Sequence, residues 1–312
     1  MMLNRLKITL SALGLAAFAV GAQAAPVVLS TGLLQMGVND DASLGGNGVG
    51  FVGPTGDAIM PGCLCEGWGA AANGAGNWTY GDGADNGIVS ALLTTTNASG
   101  SGLSAQSVVT LANGLQVTHT YSSAAGGTLF KVSINLLNNS AATLTDVRYA
   151  RTLDWDVTPG YFDANYTTVY GGTPTGPGGK VLTTSTDPFA APNPMDFRNQ
   201  EQDQNVVNSA GDKGGFFVFG FGDIAAGESY SFDTYIGANE SVDGLLADLG
   251  SVGVEAYSYT TGSDVGFAPA YGYGFAGLGL PPILDVPEPS VMALTALAFL
   301  GAGAASRRRR RA

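Results

Sequence analysis

Between residues 27 and about 280 the chain alternates apolar and polar positions in short runs, and Gly, Asn, Asp and Ser punctuate them. In "GLQVTHTYSS" (114–123), Leu115, Val117, His119 and Tyr121 share one face, and Gln116, Thr118 and Thr120 the other. "TLFKVSINLLNNS" (128–140) sets Phe130, Val132, Ile134 and Leu136 against Lys131, Ser133 and Asn135. "TLTDVRYARTLDWDV" (143–157) sets Val147, Tyr149, Leu153, Trp155 and Val157 against Arg148, Thr152, Asp154 and Asp156. A period of two predicts strands with one buried and one wet face, as in antiparallel sheets. Two more strands are expected near 215–222 and 228–236, around a turn at Asp223 to Gly227, with Phe217 and Phe219 on a common face. One helix is expected within 239–252: Asn239 or Ser241 caps it, and Val242, Leu245, Leu246 and Leu249 recur at helical spacing, weakened by Gly244. No convincing internal repeat is present. Gly/Pro-rich loops at 171–180 and 187–196 interrupt strands of the same texture, so neither reads as a linker. The expected fold is all-β: one antiparallel β-sandwich over residues 25–280 with at most one or two short helices.

The two ends break the pattern. Residues 1–24 carry Arg5 and Lys7, then an apolar run from Ile8 to Ala22, then Ala22-Gln23-Ala24. That order predicts a secretory signal helix cleaved between Ala24 and Ala25. At the other end, residues 281–289 form a linker ending in Pro287-Glu288-Pro289, which favours extended backbone. Residues 290–312 then supply an apolar run, Val291 to Ala305, and the basic cluster Arg307, Arg308, Arg309, Arg310 and Arg311. The run is shorter than the ~20 residues of a comfortable span. It is expected to form a C-terminal transmembrane helix all the same, with the five arginines as a stop-transfer signal on the cytoplasmic side.

Composition agrees with export. Charged residues are 12% of the chain, about half the usual share. Seven of the 13 basic residues lie at the ends (Arg5, Lys7, Arg307 to Arg311) while all 25 acidic residues lie between them. So acidic a body repels nucleic acid and anionic lipid and attracts cations.

Pro287-Glu288-Pro289, apolar run and arginine cluster, in that order at the C-terminus, resemble the PEP-CTERM sorting signal of Gram-negative bacteria. The resemblance covers residues 286–312. It implies recognition by exosortase, a membrane-embedded cysteine protease or transpeptidase, with Pro287, Glu288 and Pro289 as the sorting motif. It also implies display at the cell surface, often beside exopolysaccharide. "EGWG" (66–69), "VRYARTLDWDV" (147–157) and "GFFVFGFGDIAAGESYSFDTYIGANES" (215–241) look like segments recurring in PEP-CTERM proteins of unassigned function. That second resemblance implies a shared secreted body and transfers no site residues.

Candidate chemistry in the body is thin. His119 is the single histidine, which excludes a two-histidine metal site, and its place on an apolar strand face suits a core histidine. No G-x-S-x-G elbow accompanies it. Cys63 and Cys65 are the two cysteines; a local or intermolecular disulfide ranks first, with free thiols as the alternative. In an extended strand their Cα atoms would stand ~6.6 Å apart, near the upper limit for a bridge. Asp154 and Asp156 would project to one face at that same ~6.6 Å, a glycosidase-like spacing, or else face Arg148 or Arg151 in a structural pairing. Arg151 falls on the Trp155 face, where it needs a carboxylate partner. The acidic loops "VNDDASLGGNG" (38–48) and "GDGADNG" (81–87) are candidates for calcium. Trp68, Trp78, Tyr161 and Tyr166 are candidates for a sugar-binding groove. No catalytic residue and no resident cofactor are expected. The expected function is a non-enzymatic cell-surface or extracellular-matrix protein, processed by an exosortase-like enzyme from an inner-membrane-anchored precursor. Extracellular polysaccharide is the partner class. A secreted carbohydrate-binding module and an exopolysaccharide-associated hydrolase are the alternatives.

Overall fold

The computed structural model describes residues 25–98, 102–124, 126–162, 165–171, 180–197, 205–263, 269–281 and 283. The expected signal helix, the sorting motif, the transmembrane tail and most of the 171–180 loop lie outside them. Among the described residues no helix is long and apolar enough to cross a membrane.

The described chain is mostly strand. The first six are β1 (Val27–Ser30), β2 (Gln35–Val38), β3 (Phe51–Gly53), β4 (Gly56–Asp57), β5 (Glu66–Ala72) and β6 (Ala75–Tyr80). Next come β7 (Ile88–Ala98), β8 (Gly102–Leu111), β9 (Leu115–Ser123), β10 (Leu129–Asn138), β11 (Leu144–Asp154) and β12 (Tyr166–Tyr170). The last six are β13 (Val181–Ser185), β14 (Asn205–Ala210), β15 (Gly214–Ile224), β16 (Ser229–Asn239), β17 (Ala256–Thr261) and β18 (Ala270–Ala276), with helix α1 (Val242–Ser251) between β16 and β17. They form three antiparallel sheets: β1-β2-β3-β4, a nine-stranded β14-β12-β17-β18-β16-β10-β9-β8-β7, and a five-stranded β13-β15-β11-β5-β6.

The two larger sheets share one core in a sandwich-like arrangement. Inward residues alternate as the sequence predicts: Val117, His119 and Tyr121 on β9; Val132, Ile134 and Leu136 on β10; Tyr149, Arg151 and Leu153 on β11. Aromatic pairs bridge the sheets, Phe219 to Phe275 at 4.6 Å between ring centroids and Tyr149 to Phe232 at 5.2 Å. The small sheet adds Met36, Val38 and Phe51 to the same core. Helix α1 lies on the outer face of the nine-stranded sheet, with Leu245 and Leu249 against Leu129, Tyr235 and Ala270. Ser241, one of the two expected caps, accepts the Gly244 N–H at 3.1 Å. The loop 187–196 covers the outer face of the five-stranded sheet, and its Pro188 carbonyl accepts the Tyr80 and Thr152 hydroxyls, both at 3.3 Å.

Two boundaries differ from expectation. β15 runs through Ile224, so the turn to β16 is Ala225 to Glu228. β11 ends at Asp154 rather than continuing to Val157. The reason is that the backbone changes partners there. Asp154 N–H donates to the Cys65 carbonyl (3.1 Å) and Asp156 N–H to the Ala58 carbonyl (2.8 Å), both in a loop instead of a strand.

Candidate functional site

Two polar clusters are buried in this sandwich-like body. The first lies between the sheets. Arg151 and Glu66, both fully buried, form an ion pair at 2.5 Å, and Glu66 also accepts the Leu44 N–H at 2.7 Å. His119 packs on Trp68 at 4.5 Å between ring centroids, and its Nε2 shares a hydrogen bond with the Tyr149 hydroxyl at 3.1 Å. Burial first, and the Arg151 charge second, hold His119 well below its usual pKa of 6.5, so it is neutral. The carboxylate that Arg151 requires is thus Glu66, not Asp154 or Asp156, and Arg148 pairs with Asp146 at 2.7 Å. The expected structural pairing of the two aspartates with arginine is overturned. Their partners would have been near in sequence, and the fold gives those arginines other carboxylates.

The second cluster follows from the end of β11. Trp155 turns into the core, where its Nε1 donates to Ser258 Oγ at 3.2 Å. The flanking Asp154 and Asp156 face the other way, towards residues 58–65. Across the β11–β15 ladder Asp154 stands opposite Gly214, and the turn before Gly214 carries Asp212. Gly214 admits this approach because a Cβ there would lie 2.2 Å from the Leu153 carbonyl oxygen. One oxygen from each of Asp154, Asp156 and Asp212 lies within 4.8 Å of the others.

Asp154 and Asp156 are 2% and 0% exposed, whereas Asp212 is exposed. Asp154 Oδ1 and both oxygens of Asp156 are closed to water and accept no hydrogen bond. Burial, then the charges of Asp156 and Asp212, push Asp154 up to about 8; burial and Asp212 push Asp156 to about 7.

Cys63 and Cys65 are joined by a disulfide, with Cα atoms 5.2 Å apart. The separation is shorter than in an extended strand because residues 63–65 lie in a loop, one residue before β5 begins. Cys63 Sγ stands 3.7 Å from Asp154 Oδ2; bonded to Cys65, it has no proton to donate, so this is a packing contact. The disulfide sulfurs also lie beside Asp82, but they offer no thiolate to a metal. At the solvent side, a Cβ on Gly62 would be 2.5 Å from Phe162 Cε1 and 3.3 Å from Asp156 Oδ2, so the exposed Phe162 borders the acid cluster.

The other sequence candidates are dispersed. Asp41, in the first calcium loop, accepts the Ser43 N–H (2.9 Å), the Ser43 hydroxyl (2.6 Å) and the Thr79 hydroxyl (2.5 Å). Carbonyls of Asp40, Asp41 and Ala42 take the Ser107, Trp68 and Tyr121 side chains, so that loop is pinned to the core. In the second loop Asp82 and Asp85 are exposed. Trp68 is fully buried, Trp78 and Tyr166 are half-buried, and Tyr161 is exposed beside Phe162, so these four line no common groove. Ala25 is the first described residue and is exposed; Ala24, Pro287, Glu288, Pro289 and Arg307 to Arg311 lie outside the described residues. Sequence reasoning missed Asp212, which sits in an ordinary "GDKGG" turn with no local signal.

No protein-family model matches this chain, and no curated protein matches it.

Proposed function

We propose that this chain is an exported cell-surface or extracellular-matrix protein, non-enzymatic, and processed at its C-terminal tail by an exosortase-like membrane enzyme. The observation that carries the reading is the order of the tail: Pro287-Glu288-Pro289, then Val291 to Ala305, then five arginines. The arginines resist translocation, so an exported body would be held at the membrane with its extended PEP segment at the outer boundary, open to cleavage. In this reading residues 1–24 are the signal peptide and residues 25–280 one β-sandwich ectodomain. Residues 290–312 anchor the precursor in the inner membrane until it is released to the surface.

Two features of the body support it. The Cys63–Cys65 disulfide suits an oxidising, extracytoplasmic compartment. Non-enzymatic function is favoured because three of the four oxygens of the candidate carboxylate pair, Asp154 and Asp156, are closed to water. Extracellular polysaccharide is the partner class, and the exposed Tyr161–Phe162 pair is the surface suited to stacking on a sugar ring.

The test is the intact mass of protein recovered outside an exosortase-positive host, for wild type and Glu288→Ala. A wild-type mass ending near Pro289, with the tail retained in the variant, is expected. An intact tail in both overturns the sorting reading and leaves a membrane-anchored ectodomain.

A further inference from the structure

We propose that Asp154, Asp156 and Asp212 form a calcium-type divalent cation site that ties the end of β11 to the β14–β15 turn. The inference rests on the body alone and is independent of the sorting tail.

The first argument is the unpartnered charge. Buried carboxylates are normally paired or bound to a metal, because desolvation otherwise disfavours the ionised form. Among the described residues Asp154 and Asp156 have no cationic partner: the ion pairs are Lys131–Asp233, Arg148–Asp146 and Arg151–Glu66. Asp156, 0% exposed, keeps both oxygens free of any donor and directs one of them into the three-acid cluster. A structural aspartate in the same protein behaves differently: each oxygen of Asp41 accepts a hydroxyl.

The second argument is geometric. Three hard oxygen donors suit calcium, magnesium or manganese over zinc or copper. Calcium binds oxygen at about 2.3–2.6 Å, so two oxygens on one ion stand at most about 5 Å apart. The three oxygens here fall within 4.8 Å of one another, inside that limit. Magnesium would draw them closer, to about 4 Å, and demands a stricter octahedron. Asp154 and Asp156 are held by a strand end, by backbone bonds to Cys65 and Ala58, and by the disulfide, while the exposed Asp212 closes the site from the solvent side.

Catalysis by the same acids is the rival. It requires a carboxyl oxygen to touch substrate, and Asp154 Oδ1 and both Asp156 oxygens are closed even to water.

The experiment uses the purified full-length protein in detergent, stripped with a chelator and titrated calorimetrically with calcium chloride or magnesium chloride, with thermal melts in parallel. One calcium per chain is expected, with a dissociation constant of about 10⁻⁴–10⁻³ M, the range of extracellular modules, and a higher melting temperature in calcium. Asp156→Asn should weaken calcium binding at least tenfold while melting no lower than wild type in chelator, because it removes an uncompensated charge. Asp212→Asn, at an exposed position, should weaken calcium binding at least tenfold. No heat and no shift in melting for wild type at about 10 mM calcium overturns the proposal. An equal calcium response in wild type and Asp212→Asn also overturns it and moves binding to another loop, such as 81–87. Tighter binding of magnesium than of calcium overturns the calcium assignment.

Discussion

Asp154 stands directly opposite Gly214 in the ladder between β11 and β15, and that single pairing assembles the three-acid cluster. β14 belongs to the nine-stranded sheet and β15 to the five-stranded one, so the turn joining them crosses from sheet to sheet where β11 ends. Asp212 sits in that turn, two residues before Gly214. The acid cluster is therefore a product of sheet register: a slip of one residue would reverse the face of every side chain on β15 and move Asp212 out of reach.

Removing one partner of the Arg151–Glu66 pair should be severe. Glu66→Gln leaves a buried guanidinium uncompensated, and a loss of about 3–5 kcal/mol in unfolding free energy is expected. The double variant Glu66→Leu, Arg151→Met should recover much of it, because neither charge is then buried alone. Urea denaturation of wild type and the two variants checks this. A Glu66→Gln loss under about 1 kcal/mol would show that the pair carries no net charge coupling.

His119 makes stability fall in acid. Its folded pKa lies well below the unfolded value near 6.5, so the unfolded state binds the proton first. Its contribution is complete above pH 6.5 and is lost as pH falls below it, by about 1.4 kcal/mol per pH unit for one proton. Against His119→Gln, wild type should show this extra slope in pH-dependent denaturation. Parallel profiles would mean that His119 has the same pKa in the folded and the unfolded protein.

The Cys63–Cys65 bridge closes a very short loop, so its effect on the unfolded chain is small. Cys63→Ser with Cys65→Ser should cost about 1–2 kcal/mol and keep cooperative unfolding. The larger consequence is local. The loop 58–65 packs on Asp154 through Cys63 and bonds the backbone of Asp154 and Asp156, so calcium affinity should fall several-fold in the double variant. Calorimetry on the oxidised and the double-serine protein tests this; equal affinities would show that the loop does not hold the acids.

Gly244→Ala would ordinarily stabilise a helix by about 1 kcal/mol. Here a Cβ at residue 244 would stand 2.4 Å from Asn239 Oδ1, and Asn239 Nδ2 donates to Asp248 at 2.8 Å. Displacing Asn239 loses that charge-assisted bond, about 1.5–3 kcal/mol, so the variant should melt lower than wild type. A raised melting temperature would show that Asn239 rotates away at no cost.

The alternation of residues 115–121, 130–136 and 147–153 is enough to specify strands and their buried faces. A period of two is local and leaves few choices once one face must leave water. The same logic places His119 in the core and obliges Arg151 to find a carboxylate, while helical spacing puts α1 within 239–252 and leaves Asn239 and Ser241 as alternative caps, of which the structure uses Ser241. Trp68 followed the opposite course: the sequence marks it as an aromatic for sugar binding, and packing against His119 makes it core. The pattern of the two ends, Arg5 and Lys7 before an apolar run and Pro287-Glu288-Pro289 before an apolar run and five arginines, is likewise read without any fold, because it is a property of linear segments.

What only tertiary structure decided is which residues meet. Glu66 reaches Arg151 across a sequence separation of 85, and nothing in "CEGWG" distinguishes it from a surface acid. Asp154 and Asp156 look like half of a pairing with nearby arginines. Strand register gives those arginines to Glu66 and Asp146, and brings Asp212 to the aspartates instead. Backbone periodicity is a property of neighbours in the chain, whereas the environment of a charge is set by desolvation and by whichever distant groups the closing of two sheets delivers to it.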